Sequence, residues 1–279
     1  YEAPANCDVT VSGSRSSDAV AAATGGQVIC VAPGNYTSAW ETVNVIPVTK
    51  SVTIASTQGP ATTKSIGFNV TADNVTIKGF DINTTEVVGI QVTDADGVTV
   101  EHNTFNNFGS AAGTVNTQAV YLVNGSSNAV VRYNAFDGVR ADTVSAKAIY
   151  VGHTAGTPGA SNIEISNNII KNVESNKGAY GVLVNAAGQT SGLVIKNNTF
   201  DGVVGSWTHA VGLEGATPNA IVTLNTFEDI AGTTYDAAAV FFEDNPNASS
   251  VTVNQNNFEK DVLGVALHPV NQAGVYTID

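Results

Sequence analysis

One strand motif, repeated at intervals of about 30 residues, limits what this chain can fold into more than any other feature. It is an alternating apolar run that ends in Asn-x-Phe or a close relative. A degenerate copy at Val75, Ile77 and Ile82 comes first, followed by Val98, Val100, Asn103, Phe105 and by Val131, Asn134, Phe136. Then come Ile165, Asn168, Ile170; Ile195, Asn198, Phe200; Val222, Asn225, Phe227; and Val253, Asn256, Phe258. Successive Asn positions lie 31, 34, 30, 27 and 31 residues apart, and the variation falls in Gly-, Ser-, Thr- and Asn-rich stretches between strands. A second strand follows each first one, at Gly89 to Val92, Ala119 to Val123, Ala148 to Val151, Gly181 to Val184, Ala210 to Leu213, Ala239 to Phe242 and Gly264 to Leu267.

Alternation of period two with one apolar face marks half-buried strands, and copies in one register pair only in parallel. The chain therefore reads as all-β: a single-stranded, right-handed parallel β-helix, a solenoid whose coils stack Val, Ile, Leu and Phe inward. Residues 1–26 form an N-terminal extension with a short capping helix over Ser14 to Ala23. Residues 27–279 form one continuous solenoid. The repeated Asn then has a physical purpose, because its amide can hydrogen-bond the equivalent amide one coil above and below, about 4.8 Å away. The competing reading is an Asn that merely tolerates a left-handed turn.

Net charge is −13, with three arginines (Arg15, Arg132, Arg140). No basic surface exists to neutralise phosphates, so nucleic acid is excluded as a partner. No apolar run reaches the 18 or so residues needed to span a bilayer. A start at Tyr1 rather than Met leads us to expect a mature, exported chain, at the cell surface or outside it. Cys7 and Cys30 are 23 residues apart, and a bridge between them would close one coil; the alternative is two buried thiols. Asn-x-Ser/Thr sequons at Asn35, Asn69, Asn74, Asn83, Asn124, Asn197 and Asn247 are glycosylation candidates.

The strand repeat, together with the entry Gln27-Val-Ile-Cys-Val-Ala-Pro-Gly-Asn-Tyr36 and Val52-Thr-Ile after the short helix, resembles the parallel β-helix proteins of the pectin-lyase-like superfamily over residues 27 to 268. The resemblance implies a fold in which a helix covers the open end of the core. It implies little about chemistry, since the superfamily includes lyases, hydrolases, esterases, epimerases, adhesins and structural proteins.

Outward columns are where function can sit. On the first strand the column Lys78, Glu101, Arg132, Ser166, Lys196, Thr223, Asn254 reads as a solvated face with ion pairs. On the second strand the column Gln91, Tyr121, Tyr150, Leu183, Gly212, Phe241, Ala266 is apolar. Tyr121, Tyr150, Leu183 and Phe241 are thus a candidate binding surface for sugar rings or another subunit, unless the protein's own loops cover them. The next outward column places Glu214 and Glu243 on adjacent coils, near His209 and His268. Two carboxylates about 5 Å apart suit a retaining glycosidase, whereas solvated acids at strand ends are the plainer reading.

Other chemistry finds less support. Asp94-Ala-Asp96-Gly97 reads as turn chemistry rather than a calcium loop, and zinc spacings are missing, so neither metal nor cofactor is expected. The residue sets that the resemblance associates with its lyases, polygalacturonases, esterases and epimerases are absent, and neither Arg132 nor Arg140 falls in a recognisable acidic cluster. These observations favour a secreted, non-enzymatic structural or adhesive β-helix, glycosylated and self-assembling into a filament or lattice. The extended Tyr1 to Val11 segment or the terminal strand Gly274 to Ile278 would pair with a neighbouring copy. The alternative is a polysaccharide hydrolase or lyase using Glu214 and Glu243, with His209 and His268 nearby. Glycans are then the partner.

Overall fold

A computed structural model describes residues 1–109, 115–153, 157, 159–186, 190–235, 237–243, 250–259, 262–268 and 275–279. Asn247 and Gly274 fall outside the described residues. The chain is a right-handed parallel β-helix with one short helix, Ser16–Ala22. Among the described residues every strand pairing is parallel, and eleven first strands stack into one sheet running from Val9–Val11 to Val275–Ile278.

Each full coil holds three strands, where the sequence showed at least two. In one coil these are Val130–Arg132, Ala135–Asp137 and Ala146–Gly152. The extra break comes at the residue before each repeated Asn, which takes a left-handed backbone: His102, Tyr133, Asn167, Asn197, Leu224 and Gln255 all have φ between 53° and 58°. Such a residue turns the chain, so the Phe of Asn-x-Phe begins a strand of its own.

The Asn residues form the expected ladder in that corner. Asn103 Nδ2 donates to Asn134 Oδ1 at 3.2 Å, Asn134 to Asn168 at 3.1 Å, and the next three steps are each 3.0 Å. Each Oδ1 also accepts the backbone N–H of the preceding Asn, and each Nδ2 reaches a carbonyl of the coil before, as Asn168 does at Val131 O, 2.9 Å. A side chain buried this deeply, 1% exposed for Asn168, is tolerated because its donors and acceptors are satisfied. Beside the ladder the interior Phe side chains stack: Phe105 on Phe136 at 4.8 Å, Phe200 on Phe227 at 5.0 Å, and Phe227 on Phe258 at 5.3 Å.

The helix closes the N-terminal end of the core with Val20. Its first turn is capped from a distance by buried Glu41, whose carboxylate accepts from Ser16 N at 2.9 Å and from the hydroxyls of Ser16 and Ser17. Cys7 and Cys30 form the disulfide. The two terminal segments form the end strands of the first-strand sheet. Val9–Val11 joins Ile29–Val31, and Val275–Ile278 joins the strand Ser250–Asn254. Tyr1 packs against His102 and hydrogen-bonds the Ser56 carbonyl. Among the described residues no helix is long and apolar enough to cross a membrane.

Candidate active site

The face built by the third strands, those read as second strands from the sequence, departs from a regular ladder at one place in each coil. Gln118 pairs with Lys147 and Val120 with Ile149, while the intervening Ala119 and Ala148 are skipped; the same gap recurs at Gly181 and Ala210. Both Ala119 and Val120 belong to the core, so two consecutive residues point inward and the strand bends between them. Only small residues fit there: a Cβ on Gly181 would lie 2.6 Å from both the Ala210 carbonyl oxygen and the Phe200 ring. Consequently the outward residues on either side of the bend converge, three positions apart in sequence.

That convergence brings two columns together. One is Gln118, Lys147, Tyr180, His209, and the other is Tyr121, Tyr150, Leu183, Gly212, Phe241. Lys147 Nζ stands 5.0 Å over the Tyr150 ring, Tyr121 stacks on Tyr150 at 4.9 Å, and the His209 ring stacks on Phe241 at 3.9 Å. Tyr180 meets His209 edge-on at 5.5 Å. Gln118, Lys147 and His209 are only 8%, 5% and 3% exposed. The face is therefore a packed cluster in which Leu183 is buried and Tyr121, Tyr150 and Phe241 are half-buried.

The carboxylates flank this cluster. Glu214 and Glu243 are register partners on adjacent coils, and Asn185 Nδ2 donates to Glu214 Oε2 at 3.1 Å. His153 Nδ1 lies 3.1 Å from the Asn185 carbonyl oxygen. His268 sits one coil further, its N–H bonded to the Phe242 carbonyl, with its ring 6.3 Å from Phe241.

Burial sets the protonation states. It pulls the Lys147 amine down to about 8, with the negative charge of Glu214 opposing. Among the described residues Lys147 makes no hydrogen bond or ion pair. Tyr150 is pushed up to about 12 by burial, reinforced by Tyr121 and Glu214, and Tyr180 to about 12 by burial together with Glu214 and Glu243. Both phenols stay protonated at neutral pH. His209 is held down to about 4 by burial and is neutral; its Nδ1 is buried without a hydrogen-bond partner. One face thus holds an amine poised near neutrality, two neutral phenols, a neutral imidazole, an amide and two carboxylates.

Sequence reasoning found His209, Glu214, Glu243 and His268, yet missed Lys147 and Tyr180. The signal was a charged residue inside the apolar strand Ala146–Gly152, in line with Gln118, Tyr180 and His209. Elsewhere the first-strand face is solvated as expected, with Arg132 Nε 2.8 Å from Glu101 and Lys196 Nζ 3.1 Å from Glu164. Arg140, expected outside any acidic cluster, lies 3.2 Å from Glu174 and shares a cleft of about 230 Å³ with Asp142, Glu174 and Asn176. Asn35, Asn69, Asn74, Asn83 and Asn197 are exposed and Asn124 is half-buried. Among the described residues no group of three His, Cys, Asp or Glu side chains is arranged to hold a metal ion.

No protein-family model matches the chain, and no curated protein matches it by sequence. Solved structures do match. An alginate lyase from Paenibacillus sp. str. FPU-7 superposes over 92% of this chain and 97% of its own, with a TM-score of 0.59 at 14% identity. The chain has the pectin-lyase-like fold. The catalytic domain of a GH87 α-1,3-glucanase, solved with nigerose, matches 99% of this chain and 59% of its own length, with a TM-score of 0.52 at 15% identity. The expectation of a non-enzymatic, self-assembling structural or adhesive protein is corrected by these matches, whose names are those of polysaccharide-active enzymes. The physical reason is the bend: it turns Lys147, Tyr180 and His209, which strict alternation sends into the core, onto the face that otherwise reads as plain apolar surface.

Proposed function

We propose that the chain is an extracellular polysaccharide-cleaving enzyme that acts on uronate polymers by β-elimination on the third-strand face. The observation that carries this reading is Lys147, a buried amine held near neutral pH beside Tyr150, Tyr180 and Glu214. Elimination needs a base whose pKa lies near the working pH, a proton donor for the leaving oxygen, and hydrogen-bond donors for the carboxylate whose charge grows. The neutral Lys147 amine takes the proton from C5 of the uronate. The C5–H electron pair forms the C4=C5 double bond, the C4–O4 bond breaks, and a Tyr150 or Tyr180 phenol protonates the departing O4. The Asn185 amide and neutral His209 are the donors available to the substrate carboxylate. Glu214 is the counter-charge that keeps the Lys147 pKa from falling further.

A disulfide in the first coil and the named activities of the matched structures support an extracellular location. Adjacent Glu214 and Glu243 favour one second reading, glycoside hydrolysis by paired carboxylates. Incubation with a panel of polyuronates and neutral glucans separates the two. Elimination produces new ends that absorb in the ultraviolet as unsaturated uronates, abolished in Lys147→Arg, which stays charged. Reducing ends without that absorbance, lost in Glu214→Gln and Glu243→Gln, would establish hydrolysis instead. Cleavage that survives Lys147→Arg would exclude Lys147 as the base.

A further inference from the structure

Two large aromatic side chains stand exposed beside the candidate site, and nothing in the chemistry above uses them. Trp207 and Tyr235, on adjacent coils, are 46% and 50% exposed, and their rings stack at 4.1 Å with 21° between planes. The interior stacks and the Tyr121–Tyr150 stack are explained by packing, since both partners are wholly or half-buried. This pair leaves broad ring surface in water, which costs free energy unless a ligand covers it.

The corner that carries the pair is firmly built. Tyr235 N donates to Ser206 O at 3.0 Å, Thr233 N to Gly205 O at 2.7 Å, and Thr208 Oγ1 to Gly205 O and Ala231 O at 3.1 and 2.9 Å. Gly232 admits no side chain, because a Cβ there would lie 1.9 Å from the Tyr235 carbonyl oxygen. The platform is therefore fixed in place before any ligand arrives, which lowers the entropic cost of binding. Its position along the chain is also informative. Trp207 comes two residues before His209 of the buried cluster and three after Val204, which lines the cleft of Arg140, Asp142, Glu174 and Asn176 together with Thr233. The pair thus lies, along the chain, between that cleft and the cluster.

We infer that Trp207 and Tyr235 form a stacking subsite for a pyranose ring of the polysaccharide, distant from the bond that breaks. The inference rests on the polysaccharide reading above, but not on β-elimination. Pyranose rings present a face of C–H groups that packs on an aromatic plane, and a flat, rigid, exposed Trp–Tyr surface matches it.

The test measures binding rather than turnover. Wild-type protein, Trp207→Ala, Tyr235→Ala and Trp207→Phe are titrated with polyuronate and with neutral glucan of the same length, and their thermal unfolding is compared. Trp207→Ala is expected to weaken binding of the preferred polymer about tenfold. Trp207→Phe should recover most of it, with Tm unchanged for these surface positions. Weakened binding supports the subsite even where no polymer is cleaved, the outcome that would sink the enzymatic reading alone. Equal affinity of Trp207→Ala and wild type, or no polysaccharide binding by either, overturns the subsite.

Discussion

Replacing Lys147 by Met should stabilise the protein at neutral pH while removing its activity. Met keeps a flexible apolar stem of similar length, so the packing around Tyr150 is retained and the ammonium alone is lost. The magnitude follows from the difference between the ordinary lysine value of 10.5 and about 8 in the fold. At roughly 1.4 kcal/mol per pH unit this amounts to about 3 kcal/mol. The sign follows from where each state holds its proton. The folded value is the lower one, so below about pH 8 both states are protonated and the penalty for burying the charge is complete. Between pH 8 and 10.5 the unfolded chain keeps its proton while the folded chain has released it, so wild-type stability rises. Above 10.5 the penalty is gone. Guanidinium unfolding of both proteins from pH 7 to pH 10.5 should show the Met variant ahead by up to about 3 kcal/mol at pH 7, with the margin narrowing steadily through that window. The tyrosines titrate alike in both proteins and cancel. A margin independent of pH, or a Met variant less stable at pH 7, would refute a desolvated, unpaired amine.

Four further outcomes follow. Initial rates of cleavage should rise with pH along a curve with an apparent pKa of about 8, and Glu214→Gln should move that curve to lower pH, because the opposing negative charge is gone; an unmoved curve would separate Glu214 from Lys147. Asn168→Ala strips partners from the Asn134 amide and the Val131 carbonyl in the core and should cost about 3 kcal/mol or more in urea unfolding. Gly181→Ala should destabilise despite its small size, since its Cβ would meet backbone oxygen at 2.6 Å; a neutral effect by calorimetry would mean the bend is looser than described. Reducing the Cys7–Cys30 bond, which spans 23 residues, should cost about 3 kcal/mol, read from denaturant midpoints with and without reductant.

The fold was legible because its strongest determinants are periodic. Asn134, Asn168 and Asn198 repeat in register with Phe136, Ile170 and Phe200, and a column that recurs by coil leaves little choice but parallel stacking. The third strand was not legible, because it depends on a left-handed residue whose identity varies, being His at 102, Tyr at 133 and Leu at 224. The site was half legible. Glu214 and Glu243 follow from strict alternation, and their register is as read. Lys147 and Tyr180 do not, since the bend at Ala148 and Gly181 places two residues inward and resets the alternation by one. A residue that simple parity sends into the core is thereby turned outward and packed against its neighbours on the third-strand face. That difference carries the functional reading from an adhesive face to a chemical one.

The mass of the products tests the central claim most directly. Oligosaccharides released from a polyuronate by this protein should each carry a new non-reducing end one water lighter than hydrolysis would leave, with no oxygen taken up when the reaction runs in isotopically labelled water. Saturated products bearing the solvent's oxygen label would contradict elimination at Lys147 and transfer the chemistry to the Glu214 and Glu243 pair.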